Sequence, residues 1–318
     1  MITERIDAVT AIPESHRRVD PPAPRSVKIE LSPRCNFRCQ YCALRTRAEQ
    51  PKSDMDPAFF KRIAREMREE GVEEIGLFYL GESFMNVDLL ADSILYLKRD
   101  LAVPYVFLTS NASLSTKEAI TRCMAAGLDS LKWSVNAADE KQFAEVMGVA
   151  PKLFYRALMN IREAWEARRD GGYRTGLFAS SILYNGEQRE KMDLLLHEHV
   201  IPYVDQHYGL PLYGQMVSEP FQDAAKRGMT PTAGNQGRIG ALRDPLPCWS
   251  CFTEGHVRAD GLLSACCFDS DGRFAMADLN QVSFAEGWRS EKFQELRAAH
   301  LRLEVSGTIC EGCIAYAG

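Results

Sequence analysis

The sequence lacks what three broad classes of protein need. No apolar run is long enough to cross a bilayer. The N-terminal stretch MITERIDAVTAIPESHRRVDPPAPR carries charge throughout and has no apolar h-region, so it does not read as a secretory signal. There is no long basic run and the net charge is −5, which gives no basis for sequence-independent nucleic-acid binding through phosphate neutralisation. The expected location is cytoplasmic. A chain of 318 residues with 46% apolar content does allow a sizeable core, as one large domain or two ordinary ones.

What is abundant is cysteine, at ten residues. In a reducing compartment these are better read as metal ligands or catalytic groups than as disulfides. Cys35, Cys39 and Cys42 stand in CNFRCQYC, at a spacing of C-x3-C-x2-C, and six more follow position 247. Cys123 stands alone in the helical pattern STKEAITRCMAAG, beside Ile120 and Met124, and is expected to be a plain core thiol. Three thiolates leave one position open on a four-iron cubane or on a tetrahedral zinc. Zinc would need its fourth ligand from elsewhere, and the nearest preceding histidine is His16 in the N-terminal segment.

Along the chain, residues 1–25 are polar and contain Pro21, Pro22 and Pro24, and they read as an arm or loose lid. From Val27 strands and helices alternate. Strands are predicted at 27–32, 75–80, 106–110, 130–135, 175–183 and 201–206, with IGLFYL apolar enough to be buried on both faces. Helices are predicted from Asp56–Pro57 to Gly71, over 87–98, from a Ser115–Glu118 capping box to Gly127, over about 151–168 and around 187–198. Six alternations imply an α/β fold with parallel strands and helical crossovers. Whether the sheet curls into a barrel stays open on these grounds. Residues 207–247 lose the rhythm and are expected to link or to cover an active site. HVRADGLLSACC (256–267) reads as a hairpin turning at Asp260–Gly261, and residues 283–301 as a helix.

CNFRCQYC follows the first strand, at the sheet face where ligands bind in parallel α/β folds. The motif resembles the C-x3-C-x-(aromatic)-C loop of the radical S-adenosylmethionine (SAM) superfamily, with Tyr41 as the aromatic. The resemblance implies a [4Fe–4S] cluster on Cys35, Cys39 and Cys42, with its fourth iron chelated by the amine and carboxylate of SAM. YLGES resembles the family's G-G-E-P segment, with Leu80 for the first Gly and Ser83 for Pro. Gly81 would allow close backbone approach, and Glu82 would accept from the SAM ammonium. TSNAS resembles the T-N-G turn and SVNA the S-I-D-A segment. These place Ser110, Asn111, Ser134 and Asn136 against SAM, although Ser and Asn are also ordinary turn residues.

Cys248-x12-Gly261-x4-Cys266, followed by Cys310-x2-Cys313, resembles the auxiliary-cluster module called the twitch domain, a shortened SPASM domain. The resemblance implies a second [4Fe–4S] cluster on Cys248, Cys266, Cys310 and Cys313. Structural zinc is the competing occupant. Cys251 is a substitute for Cys248, and Cys267 is expected to pack or to act one layer out. Because the chain stops at Gly318, a second auxiliary cluster is not expected. The implied fold is a partial (β/α)6 TIM-like barrel at 26–206 after an arm at 1–25, then the covering segment at 207–247 and a small hairpin-plus-helix cluster domain at 248–318.

The resemblance implies reductive cleavage of SAM to a 5′-deoxyadenosyl radical and hydrogen abstraction from substrate, with flavodoxin or ferredoxin as electron donor. A single auxiliary cluster resembles the radical SAM dehydrogenase of aminocyclitol assembly, so two-electron oxidation of a small polar metabolite is expected. A peptide maturase is the alternative, although residues 1–25 are short for a leader-recognition domain. A non-catalytic iron–sulfur carrier is the third reading, and it gives Glu82 no task. No catalytic base can be assigned, with Tyr208, Tyr213, Arg238 and Arg243 as candidates. His197–Glu198–His199 reads as surface, because i and i+2 do not share a helix face. Asp269 and Asp271 lack the other ligands of a calcium loop.

Overall fold

A computed structural model describes residues 1–42, 44, 52–210, 246–267, 269 and 272–311. Six parallel strands lie in sequence order across one sheet: β1 (Ser26–Ile29), β2 (Glu74–Gly76), β3 (Tyr105–Ser110), β4 (Ser130–Ser134), β5 (Gly176–Ile182) and β6 (Gln206–Leu210). The register Val27↔Ile75↔Val106 and Leu108↔Leu131↔Leu177 aligns apolar residues that are all but fully buried. They face the crossover helices. The alternate residues, such as Lys28, Phe107, Thr109 and Lys132, line a cavity of about 80 Å³ on the inner face. The result is the partial barrel.

The crossover helices begin and end where side chains direct. Asp56 accepts from the Phe59 amide ahead of α2 (Pro57–Glu69), which closes at Gly71 with φ +92°. Asn86 caps α3 (Val87–Leu95), which runs into a wider π turn at Tyr96–Asp100. The predicted Ser115–Glu118 box is not formed. Thr116 caps α4 (Lys117–Ala125), while buried Ser115 accepts from Trp133 Nε1 at 3.0 Å. The sequence reading also passed over α5 (Glu140–Met147), capped by Asp139 and stopped by Gly148 at φ +63°. Helices α6 (Lys152–Gly171) and α7 (Gly186–His199) complete the set.

Three further expectations are corrected. The strand predicted at 201–206 is a 3-10 turn at Ile201–Tyr203, with the strand displaced to Gln206–Leu210. Pro202 has no amide to give a ladder, and the exposed Asp205 carboxylate accepts from Leu177 N and Arg168. The helix predicted over 283–301 is two, α9 (Phe284–Trp288) and α10 (Glu291–Leu301), because Ser290 starts a new one by accepting from Phe293 N. Residues 1–25 are no loose lid. Helix α1 (Ile2–Thr10) closes the barrel end where the strands begin, with Arg5 on Glu74 at 2.9 Å and stacked 3.5 Å from the Tyr105 ring. Ile2 N donates to Gln206 at the start of β6.

The C-terminal segment shares the sheet. After α8 (Ser250–Thr253), β7 (Glu254–Val257) pairs in parallel with β1, and β8 (Leu262–Ser264) and β9 (Ala275–Asp278) extend it antiparallel. The expected hairpin turn at Asp260–Gly261 is present, with Gly261 at φ +88°. No helix among the described residues is long and apolar enough to cross a membrane.

Candidate active site

The loop after β1 carries the first three cysteines, and helix α5 holds its backbone. Arg38 N and Gln40 N donate to the carbonyls of Met147 and Val146, both at 2.9 Å, and Gln40 Nε2 donates to the Glu145 carbonyl. Phe37 packs edge-on to Phe143 with ring centroids 5.4 Å apart. A Cβ on Gly148 would lie 2.9 Å from the Arg38 carbonyl oxygen, so the helix stop must be glycine for the loop to sit so close. Cys35 Sγ accepts from Phe37 N, with Asn111 Nδ2 at 3.9 Å.

The ends of β2, β3 and β4 supply the rest. Gly81 passes the loop closely: a Cβ there would meet the Ser32 carbonyl oxygen at 2.0 Å. Buried Glu82 accepts from Ser110 Oγ (2.8 Å), Asn111 N (2.8 Å) and Phe84 N (3.1 Å). These fill three of a carboxylate's roughly four acceptor sites. Burial nevertheless raises the Glu82 carboxyl above its ordinary value, against those donors, so a neighbouring cation would relieve it. Asn136 Nδ2 donates to the Tyr41 hydroxyl at 2.8 Å, and its Oδ1 accepts from Ile182 N.

Cys35, Cys39, Tyr41, Cys42, Gly81, Glu82, Ser110, Asn111, Ser134 and Asn136 all line one cavity of about 190 Å³ at the strands' C-terminal ends. Its other walls are largely apolar, including Phe143, Met147, Phe154 and Ile161. Burial pushes the Cys35 thiol up to about 12, and Cys39 higher still, with neighbouring thiols adding to the effect. Such thiols become thiolates when a cation replaces the proton. Among the described residues no three His, Cys, Asp or Glu groups gather around a single metal position. A cubane instead takes one thiolate per iron. Three half-buried, neighbouring thiols beside a buried carboxylate that a cation would relieve fit an iron–sulfur cluster with a cationic small molecule.

Two supports escaped the sequence reading. Glu30, buried at the end of β1, accepts from Leu80 N and Gly81 N at 3.1 Å each and so fixes the turn before Glu82. Its signal was a carboxylate inside an apolar strand. Tyr184 donates to the Asn136 carbonyl.

Of the second cysteine set, Cys248 precedes α8 and Cys310 follows α10, and one histidine lies between them. His300 Nδ1 accepts from Cys248 N at 3.2 Å, and Nε2 faces Cys310 Sγ at 3.4 Å, which draws those two residues together. Burial holds His300 down at about 4, so it is a neutral imidazole here. Cys266 follows β8, and Cys313 lies outside the described residues. Cys251 is packed in the core at 2% exposure. The Cys267 thiol is lowered from its ordinary value by a hydrogen bond from Cys266, against burial and with help from His256 and Lys28.

The remaining candidates divide. Cys123 is fully buried in the core and His197 and His199 are exposed on α7, as expected. Tyr208 faces the inner cavity from β6. Asp269 is buried and accepts from Gly272 N. Tyr213, Arg238, Arg243 and Asp271 lie outside the described residues.

Comparison with known proteins matches this arrangement. The Radical SAM superfamily profile covers residues 29–201 and that of the SPASM iron–sulfur cluster-binding domain residues 248–314. The PqqA peptide cyclase of Xanthomonas campestris pv. campestris (strain 8004) is 26% identical over 314 residues, spanning 92% of this chain and 80% of the relative. A probable GTP 3′,8-cyclase of Methanococcus maripaludis (strain C7) is 29% identical over 122 residues, 38% of this chain; the match spans only 40% of that relative's length. Among solved structures, BtrN in complex with AdoMet and 2-DOIA superposes with TM-score 0.55 at 13% identity, covering 87% and 86% of the two chains. Streptococcus suis SuiB bound to precursor peptide SuiA superposes at 0.63 and 14%, covering 88% of this chain and 67% of SuiB. These likenesses are of fold. The family matches imply a SAM-binding [4Fe–4S] cluster, SAM itself and an auxiliary cluster. The chain belongs to the Radical SAM superfamily of enzymes and carries a C-terminal SPASM iron–sulfur cluster-binding domain.

Proposed function

We propose that this enzyme oxidises a small polar substrate by two electrons. Cys35, Cys39 and Cys42 would hold the SAM-binding cluster, and Cys248, Cys266, Cys310 and Cys313 the auxiliary one. When bound, the first cluster supplies the electron that cleaves SAM to methionine and a 5′-deoxyadenosyl radical, which takes hydrogen from the substrate. The protein's own residues bind and orient. Glu82 offers its remaining acceptor site to the SAM ammonium, with Ser110 and Asn111 fixing its carboxylate. Asn136 holds Tyr41 within the cysteine loop, and Ser134 and Asn136 line the cavity that SAM would occupy. The apolar walls suit a site where a radical must be kept from side reactions. A cytoplasmic flavodoxin or ferredoxin would deliver the electron.

The observation that carries this reading is the continuity of the two sites. Strand β7 pairs directly with β1, so the segment carrying the second cysteine set continues the sheet that holds the first, and an electron acceptor held there would adjoin the barrel. BtrN, bound to AdoMet and 2-DOIA, shares this architecture over most of its length. The peptide-maturase reading has its own support in the similarity to PqqA peptide cyclase across 92% of the chain. The test is product analysis with deuterated polyols, amino sugars and candidate peptides. Deuterium in 5′-deoxyadenosine, with a product two hydrogens lighter from a small substrate, upholds the proposal. Crosslinked or thioether peptide as the sole product replaces it with the maturase.

A further inference from the structure

Between β2 and Glu82 the chain passes Tyr79, and this side chain reaches from one site to the other. Its ring lines the SAM-side cavity. Its hydroxyl leaves that cavity and donates to the carbonyl of Cys266 at 2.7 Å, with the carbonyl of Asp269 at 3.1 Å. One proton is therefore shared between two acceptors. Those acceptors close a single small loop, since Asp269 N donates back to the Cys266 carbonyl at 3.2 Å. The ring also lies 5.6 Å from His256, tilted by 37°.

A buried tyrosine usually finds some partner for its hydroxyl, so one carbonyl alone would indicate only packing. The placement here is more particular. Both acceptors belong to the loop that carries Cys266, and the main chain beside Tyr79 is clamped from the same direction. Glu30 accepts from Leu80 N and Gly81 N with Oε1, and from Ala259 N in the β7–β8 turn with Oε2 at 3.3 Å. One short turn thus presents Glu82 to the first site and Tyr79 to the second.

We propose that Tyr79 is a positioning residue for both sites: its hydroxyl holds the Cys266 loop against the substrate cavity and tunes the iron–sulfur group bound there. The inference rests on the two-cluster reading above. Hydrogen bonds around a cluster's ligands and the polarity of their surroundings set its potential. A hydroxyl proton on the Cys266 carbonyl withdraws negative charge from the neighbourhood of that ligand. Without it the carbonyl keeps only its two longer donors, Asp269 N at 3.2 Å and Ser264 Oγ at 3.3 Å, and adding an electron becomes harder.

The experiment is a redox titration followed by electron paramagnetic resonance, on full-length protein reconstituted in the Cys35→Ala, Cys39→Ala, Cys42→Ala background. Only the C-terminal cluster then reports. Tyr79→Phe keeps the ring on His256 and removes the hydroxyl. The expected result is a lower midpoint potential with an altered signal at unchanged iron content. If Tyr79→Phe fails to retain iron, 3-fluorotyrosine at position 79, a stronger donor, takes its place and should raise the potential. A parental signal and potential that neither substitution moves overturn the inference alone. A parent that takes up zinc, or gives no iron–sulfur signal, overturns the two-cluster reading and this inference together.

Discussion

The side-chain amide of Asn136 donates to the hydroxyl of Tyr41 at 2.8 Å. The mouth of β4 and the cysteine loop are thereby one hydrogen-bonded unit, and Tyr41 in turn contacts Met147 Sδ at 3.6 Å, at the end of the helix that holds the loop. Asn136→Ala leaves the buried Tyr41 hydroxyl without this donor. The loss should be about 1–1.5 kcal/mol, read as roughly tenfold weaker SAM binding to the reconstituted protein.

Glu82→Gln keeps the size of the side chain and removes its charge. It also places an amide where Ser110 and two main-chain amides already donate. SAM affinity should fall by about 10- to 100-fold, the range of a hydrogen bond to a charged group. Iron content should be unchanged, because Glu82 is no cluster ligand. Isothermal titration under anaerobic conditions with parallel iron analysis checks both.

Gly81→Ala puts a methyl group 2.0 Å from the Ser32 carbonyl oxygen, with the Arg34 carbonyl at 2.9 Å. Neither obstacle is a side chain that can swing away. The strain should cost about 2–3 kcal/mol and displace the start of the cysteine loop. A lowered melting temperature with reduced iron retention at the first site is the expected signature.

Inside the barrel, Lys28 Nζ lies 2.6 Å from the Glu254 carboxylate, and His256 Nε2 lies 2.9 Å from it. Burial would raise the Glu254 carboxyl, but Lys28 and His256 more than offset it and hold it far below its ordinary 4.5. A carboxyl depressed by folding contributes stability that is complete above about pH 4.5 and drains away as the pH falls further. Lys28→Met leaves the carboxylate buried without its cation, which should cost about 3–5 kcal/mol. Chemical denaturation at pH 7 and pH 4 checks this: the mutational cost should shrink at the lower pH.

The cysteine motifs stood out by their spacing, and Glu82, Ser110, Asn111 and Asn136 by their resemblance to the segments of the radical SAM superfamily; the structure places them around one cavity with Cys35, Cys39 and Cys42. The supports behind them did not stand out. Helix α5 is eight residues long and starts soon after β4, so its start reads as a turn; its worth lies in three carbonyls offered to Arg38 and Gln40, which no side-chain pattern reveals. Helix α1 was hidden by its charges, since Arg5 serves by pairing with Glu74 and stacking on Tyr105, contacts that exist only once the barrel has formed. At Ile201–Tyr203 an apolar run was mistaken for a strand, where tertiary pairing of Asp205 with Arg168 and Leu177 decides otherwise. Tyr79 looked like one more apolar residue of its strand, and its tie to Cys266 spans 187 positions.

The central claim is that the chain holds two iron–sulfur clusters and that the first cleaves SAM. It is tested most directly by anaerobic reconstitution, with iron, sulfide and 5′-deoxyadenosine measured after addition of dithionite and SAM. The comparison is the triple variant Cys35→Ala, Cys39→Ala, Cys42→Ala. The wild type should hold about eight irons per chain against about four in the variant, by the four-iron cubane count, and 5′-deoxyadenosine should come from the wild type alone. Zinc in either site, equal iron in the two proteins, or SAM left intact by the wild type would contradict the claim.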